Sequence, residues 1–488
     1  VTSAPVAALG VDVGTTNTKV ALAVLGDSVR EERILSVATP STGAGLQAAV
    51  LGAIRDAVAD SPYAIAAIGI ASMAETGAVT GPDGEPRGEL LRWADGDARV
   101  ADRLVASVGA VELYAATGVP VASKSPLAHW SRLADDGDPR LIDGRWLGAD
   151  ALVTACLTGE AVTDHTLAAR TMAYRVDVQA ETFDPALLGL VGLTPEQFPR
   201  VAVPGARAGG LTQAAASALG LAAGTPVVVA GHDHAVGAWA AGVREPGDAA
   251  DSVGTAEALF RVVDRVSGVP RDAARRAGMS VARTVDGHDE TLIAGNPTAG
   301  ALVQWAFAEL FPGADRGQVL AQTRLRCEGR IDSFLLPYLR GRQSPAPDPA
   351  ATLRLAPAQA PIGLAGIADP AEALTAVLAG LALQLAWMDA AQTEIAGPRR
   401  PELAVLGGPG AGNDAWWHLK RRLIPGILRR VDAAEPVATG AAMLAAHRVA
   451  GLTTSLPLGS ADTVASTGDP ALLGAFVDAA THHDKEPV

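Results

Sequence analysis

Asp12-Val13-Gly14-Thr15-Thr16-Asn17 sets a carboxylate just before a turn of glycine and threonine. Backbone N–H groups and hydroxyls in such a turn suit an anion, a nucleotide phosphate above all. Lys19 follows with a cation, and Asp12 could hold Mg²⁺ through water. The run lacks the G-x-x-x-x-G-K-[ST] pattern of a Walker A loop. An ordinary hairpin turn would read the same way. A second Gly-Thr pair, Gly254-Thr255, offers the same choice between a phosphate contact and a plain turn. Gly231-His232-Asp233-His234 sits where an apolar run meets an alanine-rich one. A carboxylate at a helix N-terminus is stabilised as the anion, and in an open site it can take a proton from a hydroxyl. It can equally be a helix cap. The two histidines flanking Asp233 lie two apart, which on a helix puts them on different faces and argues against a metal. Gly407-Gly408-Pro409-Gly410-Ala411-Gly412-Asn413 allows close approach of a flat ligand or a phosphate. Without a following βαβ unit it is not a Rossmann loop. Glu75-Thr76 and the Trp93…Asp95 pair supply carboxylates and an aromatic face, the needs of a polyhydroxylated ligand.

The elements around these residues follow from periodicity and turn chemistry. Val6 to Val13 and Lys19 to Leu25 read as two strands of a hairpin, the second half exposed by its alternation. Leu46, Val50, Ile54 and Val58 recur every four residues and predict a helix over Gly45 to Ala59. A strand is expected at Ile65 to Ala71, with helices near Ala98–Ser107, Trp146–Leu157 and Ala214–Leu219. The run Pro226 to Ala230 reads as a buried strand and Ala235 to Ala241 as a helix. Ala249–Val253 and Glu257–Val263 repeat the design of the N-terminal hairpin, so the chain is expected to divide into two α/β halves, 1–243 and 244–488. Helices are predicted over Pro370–Ala396, from Asp414, and over Ala438–Val449, with a strand at Leu403–Leu406. Gly341 to Pro361 reads as a surface excursion, and the last residues as a fraying tail.

With 488 residues, 49% hydrophobic and 19% charged, the chain has room for several packed cores. A net charge of −14 argues against nucleic acid as a partner. Two cysteines, Cys156 and Cys327, fit a reducing cytoplasm better than a disulfide framework. No basic stretch followed by a long apolar one opens the sequence, and the apolar run Leu374 to Met388, broken by Gln384, reads as a buried helix rather than a membrane span.

The order of the motifs resembles the FGGY carbohydrate kinases: Asp-x-Gly-Thr-Thr at 12, Trp-x-Asp at 93, Gly-x-Asp at 231, Gly-Thr at 254 and a glycine-rich loop at 407. Leu157-Thr158-Gly159-Glu160 with Thr163-Asp164, Leu336-Pro337-Tyr338-Leu339-x-Gly341, and Ala438-Thr439-Gly440-Ala441-Ala442 are similar to further stretches of that family. The likeness runs from about residue 7 to 450. It implies an actin/hexokinase/Hsp70-type fold of two ribonuclease H-like domains, with ATP and sugar in the cleft. It implies Asp233 as general base and Asp12 as the Mg²⁺-linked acid. Gly14, Thr15, Thr16, Asn17 and Lys19, with Gly254 and Thr255, would surround the phosphates. Gly300, Gly408, Pro409 and Asn413 would lie near the adenosine. Glu75, Thr76, Trp93, Asp95, His232 and Asp233 would face a small sugar or polyol, xylulose-like above others. Homodimers are common among such kinases.

Two departures bear on the acceptor. Ala74 stands where similar glycerol kinases carry an arginine, which removes a multi-donor contact to hydroxyls. Histidine on both sides of Asp233 is unlike the commoner Asp-Asn or Asp-Gln. A sugar-sensing, inactive relative would keep the fold without needing Asp233. A filament-forming or chaperone ATPase would keep it without needing Trp93 and Asp95.

Overall fold

The structure is a computed structural model and describes residues 6–96, 98–141, 143–178, 180–356, 367–407, 412–459 and 465–481. The chain divides into two compact units. The first comprises residues 1–244, 281–290 and 433–457, the second 245–280, 291–432 and 458–488. The first break falls after Arg244, and residues 281–290 and 433–457 return to the first unit, so the units are not the contiguous stretches 1–243 and 244–488.

The first unit is built on a six-stranded sheet. Its order is Val29–Ala38, Asn17–Leu25, Val6–Val13, Ile65–Ser72, Pro226–His232 and Gly209–Gly210. The first three strands form an antiparallel meander, whereas Val6–Val13, Ile65–Ser72 and Pro226–His232 run parallel. Side chains alternate along a strand, so Leu9, Val11, Ile68 and Ile70 share one face. Leu46, Val50 and Ile54 of the helix Gly43–Val58 pack there, with Leu152 of the helix Ala149–Thr158. Gly10 and Gly69 look the other way. A Cβ on Gly10 would stand 1.8 Å from the Ala438 carbonyl oxygen, and one on Gly69 1.9 Å from that of Ala441. The helix Pro436–Ala450 therefore lies with its backbone against the sheet, which only glycine in the strands and alanine or glycine in the helix permit. That contact draws residues 433–457 into the first unit. It also explains why Asn17–Leu25 is buried from Val20 onward rather than half exposed: helices cover both faces.

Glu31 fixes the start of the same helix. Its carboxylate accepts the backbone N–H groups of Ala434 at 2.8 Å and Glu435 at 3.2 Å, and the Thr439 hydroxyl at 2.6 Å. A side chain from a neighbouring strand thus satisfies N–H groups that the helix itself leaves unpaired.

Another six-stranded sheet is ordered Ser280–Arg283, Glu290–Asn296, Glu257–Val263, Ala249–Val253, Glu402–Leu406 and Ile427–Arg430, and all of it but residues 281–283 and 290 belongs to the second unit. Its hairpin has the expected ends. Pro370–Ala396 is long and apolar enough by length and composition to cross a membrane, yet 89% of its most apolar window is buried inside the protein. Gln384, which interrupts it, accepts from the Tyr338 hydroxyl at 2.9 Å and donates to the Ser344 carbonyl at 2.8 Å. Two expectations hold only in part. Within the excursion expected over 341–361, residues 341–345 are mostly buried, because Arg342 stacks on Tyr338 and Trp387 and donates to the Ala480 carbonyl; residues 346–356 are largely half-buried or exposed, and 357–361 lie outside the described residues. The tail forms the helix Pro470–Thr481, held by fully buried Phe476 against Phe334.

Candidate active site

Three parallel strands of the first unit end at one edge, and the candidate acids collect there. Asp12 pairs in register with Ala71, and His232 with Ser72. The carboxyl ends of parallel strands are where open α/β sheets present their ligand sites. Asp12 is 6% exposed, and its Oδ1 has no hydrogen-bond partner. Burial first, then the nearby Asp233 charge, push its carboxyl up to about 7, against the pull of Lys19. Lys19 faces Asp12 across the hairpin, with Nζ 4.0 Å from Oδ2. Its nearer partner is Glu435, at 2.7 Å. Burial pulls the Lys19 ammonium down, but the hydrogen bond to Glu435 and the surrounding carboxylates outweigh it and raise it. Lys19 thus spends its charge on carboxylates, which differs from the phosphate contact expected of it.

Asp233 opens the helix Asp233–Ala240 but is not its cap. His232, in extended conformation, holds the N-cap position. The Asp233 Oδ1 accepts the His234 backbone N–H at 2.7 Å and lies 3.1 Å from His232 Nε2. Because His232 precedes the helical turn, the argument from opposite helix faces does not apply. The two imidazoles meet edge to face with ring centroids 5.2 Å apart. Burial, set against the Asp233 charge, lowers the His232 pKa to about 4. The His232 backbone is anchored by Thr166, whose hydroxyl accepts its N–H at 2.8 Å and donates to Asp164 at 2.9 Å. Gly231, at φ 131°, lets this turn approach, since a Cβ there would stand 2.7 Å from the Thr166 hydroxyl. The Thr163-Asp164 stretch singled out in the sequence thus buttresses the Asp233 turn.

Glu75 follows the strand Ile65–Ser72 in a left-handed conformation, φ 64°. Such a backbone in a non-glycine residue costs about 1–3 kcal/mol and gathers at functional sites. Arg170 Nη2 reaches its Oε1 at 2.8 Å and Lys124 Nζ at 3.4 Å. Burial would raise the Glu75 carboxyl, but Lys124, Arg170 and His232 override it and hold it below the usual range. Burial also lowers the Lys124 ammonium. Trp93 is tied into the same wall: its backbone N–H donates to Thr76 Oγ1 at 3.2 Å and its indole N–H to Thr15 Oγ1 at 3.1 Å. Thr15 therefore joins the Trp93 wall. Asp95 is exposed and accepts the Arg92 backbone N–H at 3.2 Å, closing its own short turn. Thr16 and Asn17 form the exposed tip of the loop, with Gly14 N–H donating to Asn17 O at 3.2 Å.

In the second unit the structure brings Gly254, Thr255 and Gly300 together. The Gly300 N–H donates to Gly254 O at 3.1 Å, and those of Ala299 and Ala301 to Thr255 O at 3.0 and 3.1 Å. Gly407, at φ 97°, comes so near that a Cβ would stand 2.1 Å from Val253 O. Asn413 caps the helix Asp414–Leu423, with Oδ1 accepting from Trp416 N–H at 3.0 Å. Gly408 and Pro409 lie outside the described residues.

Residues 7–240 match the N-terminal domain of the FGGY family of carbohydrate kinases. Over 460 residues the chain is 30% identical to the xylulose kinase of Streptomyces rubiginosus, spanning 91% of this chain and 88% of that protein. The chain belongs to the FGGY family of carbohydrate kinases. It is also 31% identical over 184 residues to the L-fuculokinase of Escherichia coli K12, a match that spans only 38% of that enzyme's length. A crystal structure of a xylulose kinase from Brucella ovis superimposes with a TM-score of 0.80 over 97% of both chains at 20% identity, a likeness of fold.

This FGGY kinase carries functional candidates that motif reasoning missed. Lys124, Arg170 and Glu435 each reach the strand ends from distant segments, and no local pattern marks them. Position 74 lacks an arginine, but a guanidinium does reach the neighbouring Glu75 carboxylate, from Arg170 in the turn after the helix His165–Ala168. The Asp12 end of the site has the chemistry to fit a divalent cation. A buried carboxylate oxygen without a partner, in a carboxyl that holds its proton to near neutrality, is short of a positive charge.

Proposed function

We propose that this FGGY kinase transfers the γ-phosphoryl of ATP to a hydroxyl of a small ketose or polyol, xylulose-like above others, with Asp233 as the general base. The observation that supports the reading is that Asp12 and Asp233 gather at the ends of two parallel strands that flank Ile65–Ser72, close enough for the Asp233 charge to raise the Asp12 pKa. Phosphoryl transfer asks little covalent chemistry of a protein: reactants must be aligned and charge neutralised. Asp233 accepts the acceptor's proton as the hydroxyl attacks. The His234 N–H on Oδ1 fixes the carboxylate's orientation, so Oδ2 is the oxygen that takes the proton. Glu75, held ionised by Arg170 and Lys124, accepts hydrogen bonds from the acceptor's hydroxyls, and Trp93 offers its apolar face. Asp12 would hold Mg²⁺ through water, and the ion would neutralise phosphate charge. Backbone groups of Gly14–Asn17 and of Gly254–Thr255 serve the phosphates. The neighbourhood of Gly300, Gly408, Pro409 and Asn413 serves the adenosine. Two free cysteines agree with a cytoplasmic setting.

The test is Asp233→Ala assayed by ADP release against ketoses, polyols and sugar acids. A loss in kcat of about 10²–10⁴ with ATP binding retained is expected. Turnover near that of the parent enzyme would overturn the assignment of the base. ATP hydrolysis that no acceptor stimulates would overturn the kinase reading itself.

A further inference from the structure

His232, Asp233 and His234 each present a ligand atom, and the three atoms lie within 4.8 Å of one another. Asp233 Oδ1 stands 3.1 Å from His232 Nε2 and 3.9 Å from His234 Nε2. A tetrahedral ion with bonds of about 2.0 Å has ligand edges of roughly 3.3 Å, so small side-chain rotations would complete three corners. Consecutive residues achieve this because the chain changes conformation between them: His232 is extended, and Asp233 and His234 lie in the first helical turn. All three side chains are partly buried, between 11% and 24% exposed, so the trio is reachable from solvent yet held by its surroundings. Among the described residues no other group of His, Cys, Asp and Glu meets the same criterion.

We propose that His232, Asp233 and His234 form a binding site for a borderline transition-metal ion, Zn²⁺ or Co²⁺, separate from the Mg²⁺ held at Asp12. Two imidazoles and one carboxylate suit zinc, cobalt, nickel or copper. Mg²⁺ demands oxygen ligands in octahedral array and keeps its water, so this set discriminates against it. A three-residue set leaves a fourth position open to water or to a hydroxyl. Bound at Oδ1, the ion draws charge from the Asp233 carboxylate and leaves Oδ2 a weaker base. Resting on the reading of Asp233 as base, the site makes Zn²⁺ an inhibitor of acceptor-dependent turnover.

The experiment titrates Co²⁺ into tag-free full-length protein and follows visible d–d absorption, with Zn²⁺ as competitor. One equivalent per chain is expected, with the intense spectrum of a four-coordinate ion, displaced by Zn²⁺ and resistant to millimolar Mg²⁺. His234→Ala, which removes a ligand outright, should weaken binding by at least the roughly 10–100-fold that losing a ligand's outer-shell partner costs. His234→Cys, which restores a soft ligand, should recover it. Circular dichroism of each variant separates ligand loss from misfolding. A spectrum that stays that of the hydrated ion overturns the site, as does a His234→Ala variant that binds as tightly as the parent. Acceptor-dependent turnover is measured alongside. Histidine-dependent binding without inhibition would keep the metal site and remove Asp233 from the role of base.

Discussion

The two hairpins, Val6–Leu25 in the first unit and Ala249–Val263 in the second, share a plan of strand, Gly-Thr turn and strand, but they treat charge in opposite ways. In the first, Asp12 is buried with one oxygen unpartnered and a carboxyl raised to about 7, while Lys19 opposite leans to Glu435. In the second, Asp251 and Glu257 flank the turn, and Lys420 lies on both carboxylates, 2.7 Å from Glu257 Oε1. All three side chains are fully buried. Burial pushes the Glu257 carboxyl up to about 8, opposed by the Lys420 ammonium, which its two acids keep above its ordinary value. The second turn is also tied down by three backbone bonds from residues 299–301. One hairpin therefore ends in a carboxylate awaiting a cation, and the other carries its cation within the fold. The same supersecondary unit serves as a reactive end in one case and as a rigid platform in the other.

Removing the internal cation should give the largest effect. Lys420→Met leaves two acids buried without a counter-charge, and breaking a buried pair in this way costs about 3–5 kcal/mol. Urea denaturation should show that loss; a midpoint within error of the parent would mean the triad is not what holds the second turn. Asp12→Asn should act the other way round: activity falls while stability is kept. Its pH signature follows from the direction of the shift. Asp12 has a folded pKa of about 7 against an ordinary 3.8, so the folded protein holds a proton the unfolded chain has lost. The stabilisation is fully present below about pH 4 and disappears as pH rises through 7, a change of order 2–4 kcal/mol. Without Mg²⁺ and nucleotide, denaturation midpoints from pH 4 to 8 should fall less steeply in Asp12→Asn than in the parent. The slope should not vanish, because Asp150, raised to about 7 by burial, and Glu257 contribute with the same sign. Identical slopes would remove Asp12 from the account.

The contrast also marks how far the sequence could be read. Both turns, their strands and the acids Asp12 and Asp233 were legible, because each depends on local alternation and on a turn residue within a few positions. The charges that give the turns their different characters were not. Lys420, Glu435, Arg170 and Lys124 reach their partners from remote elements, and a lysine in Asp414–Leu423 looks like a surface residue until the packing is known. The fully buried Lys420 contradicts the usual preference of lysine for solvent, and only the two acids beneath it explain why. Periodicity likewise missed Pro470–Thr481, whose burial rests chiefly on Phe476 and Ala480. The division into contiguous halves failed for a related reason: Pro436–Ala450 packs through glycines and alanines, which carry no amphipathic signal.

Charge brought from a distance can be tested at the acceptor wall, where a smaller effect is expected. Arg170→Ala removes the guanidinium from Glu75 and leaves Lys124 as its cation. A hydrogen bond to a charged group contributes about 1.5–3 kcal/mol, so the KM for the acceptor should rise by roughly tenfold or more while that for ATP stays near the parent value. Equal rises for both substrates would mean general damage rather than a lost contact. Arg170→Lys should recover only part, since an ammonium lacks the planar fork.

The smallest effect is expected where the first hairpin sheet meets the C-terminal segment. Glu31 takes two backbone N–H groups and the Thr439 hydroxyl at the start of Pro436–Ala450, the work of a helix cap done by another strand. Losing a cap costs about 0.5–2 kcal/mol. Glu31→Ala should therefore lower the denaturation midpoint modestly. Glu435, which receives Lys19, sits within this capped turn, so the variant should also loosen the Lys19 contact. If the cap positions Glu435, Glu31→Ala will shift the pH dependence of stability that Asp12 contributes, because Lys19 would turn more of its charge to Asp12 and lower that carboxyl. If the midpoint falls with no change in the pH slope, the cap serves the helix alone and Glu435 is placed by the sheet contact of Gly10 and Ala438.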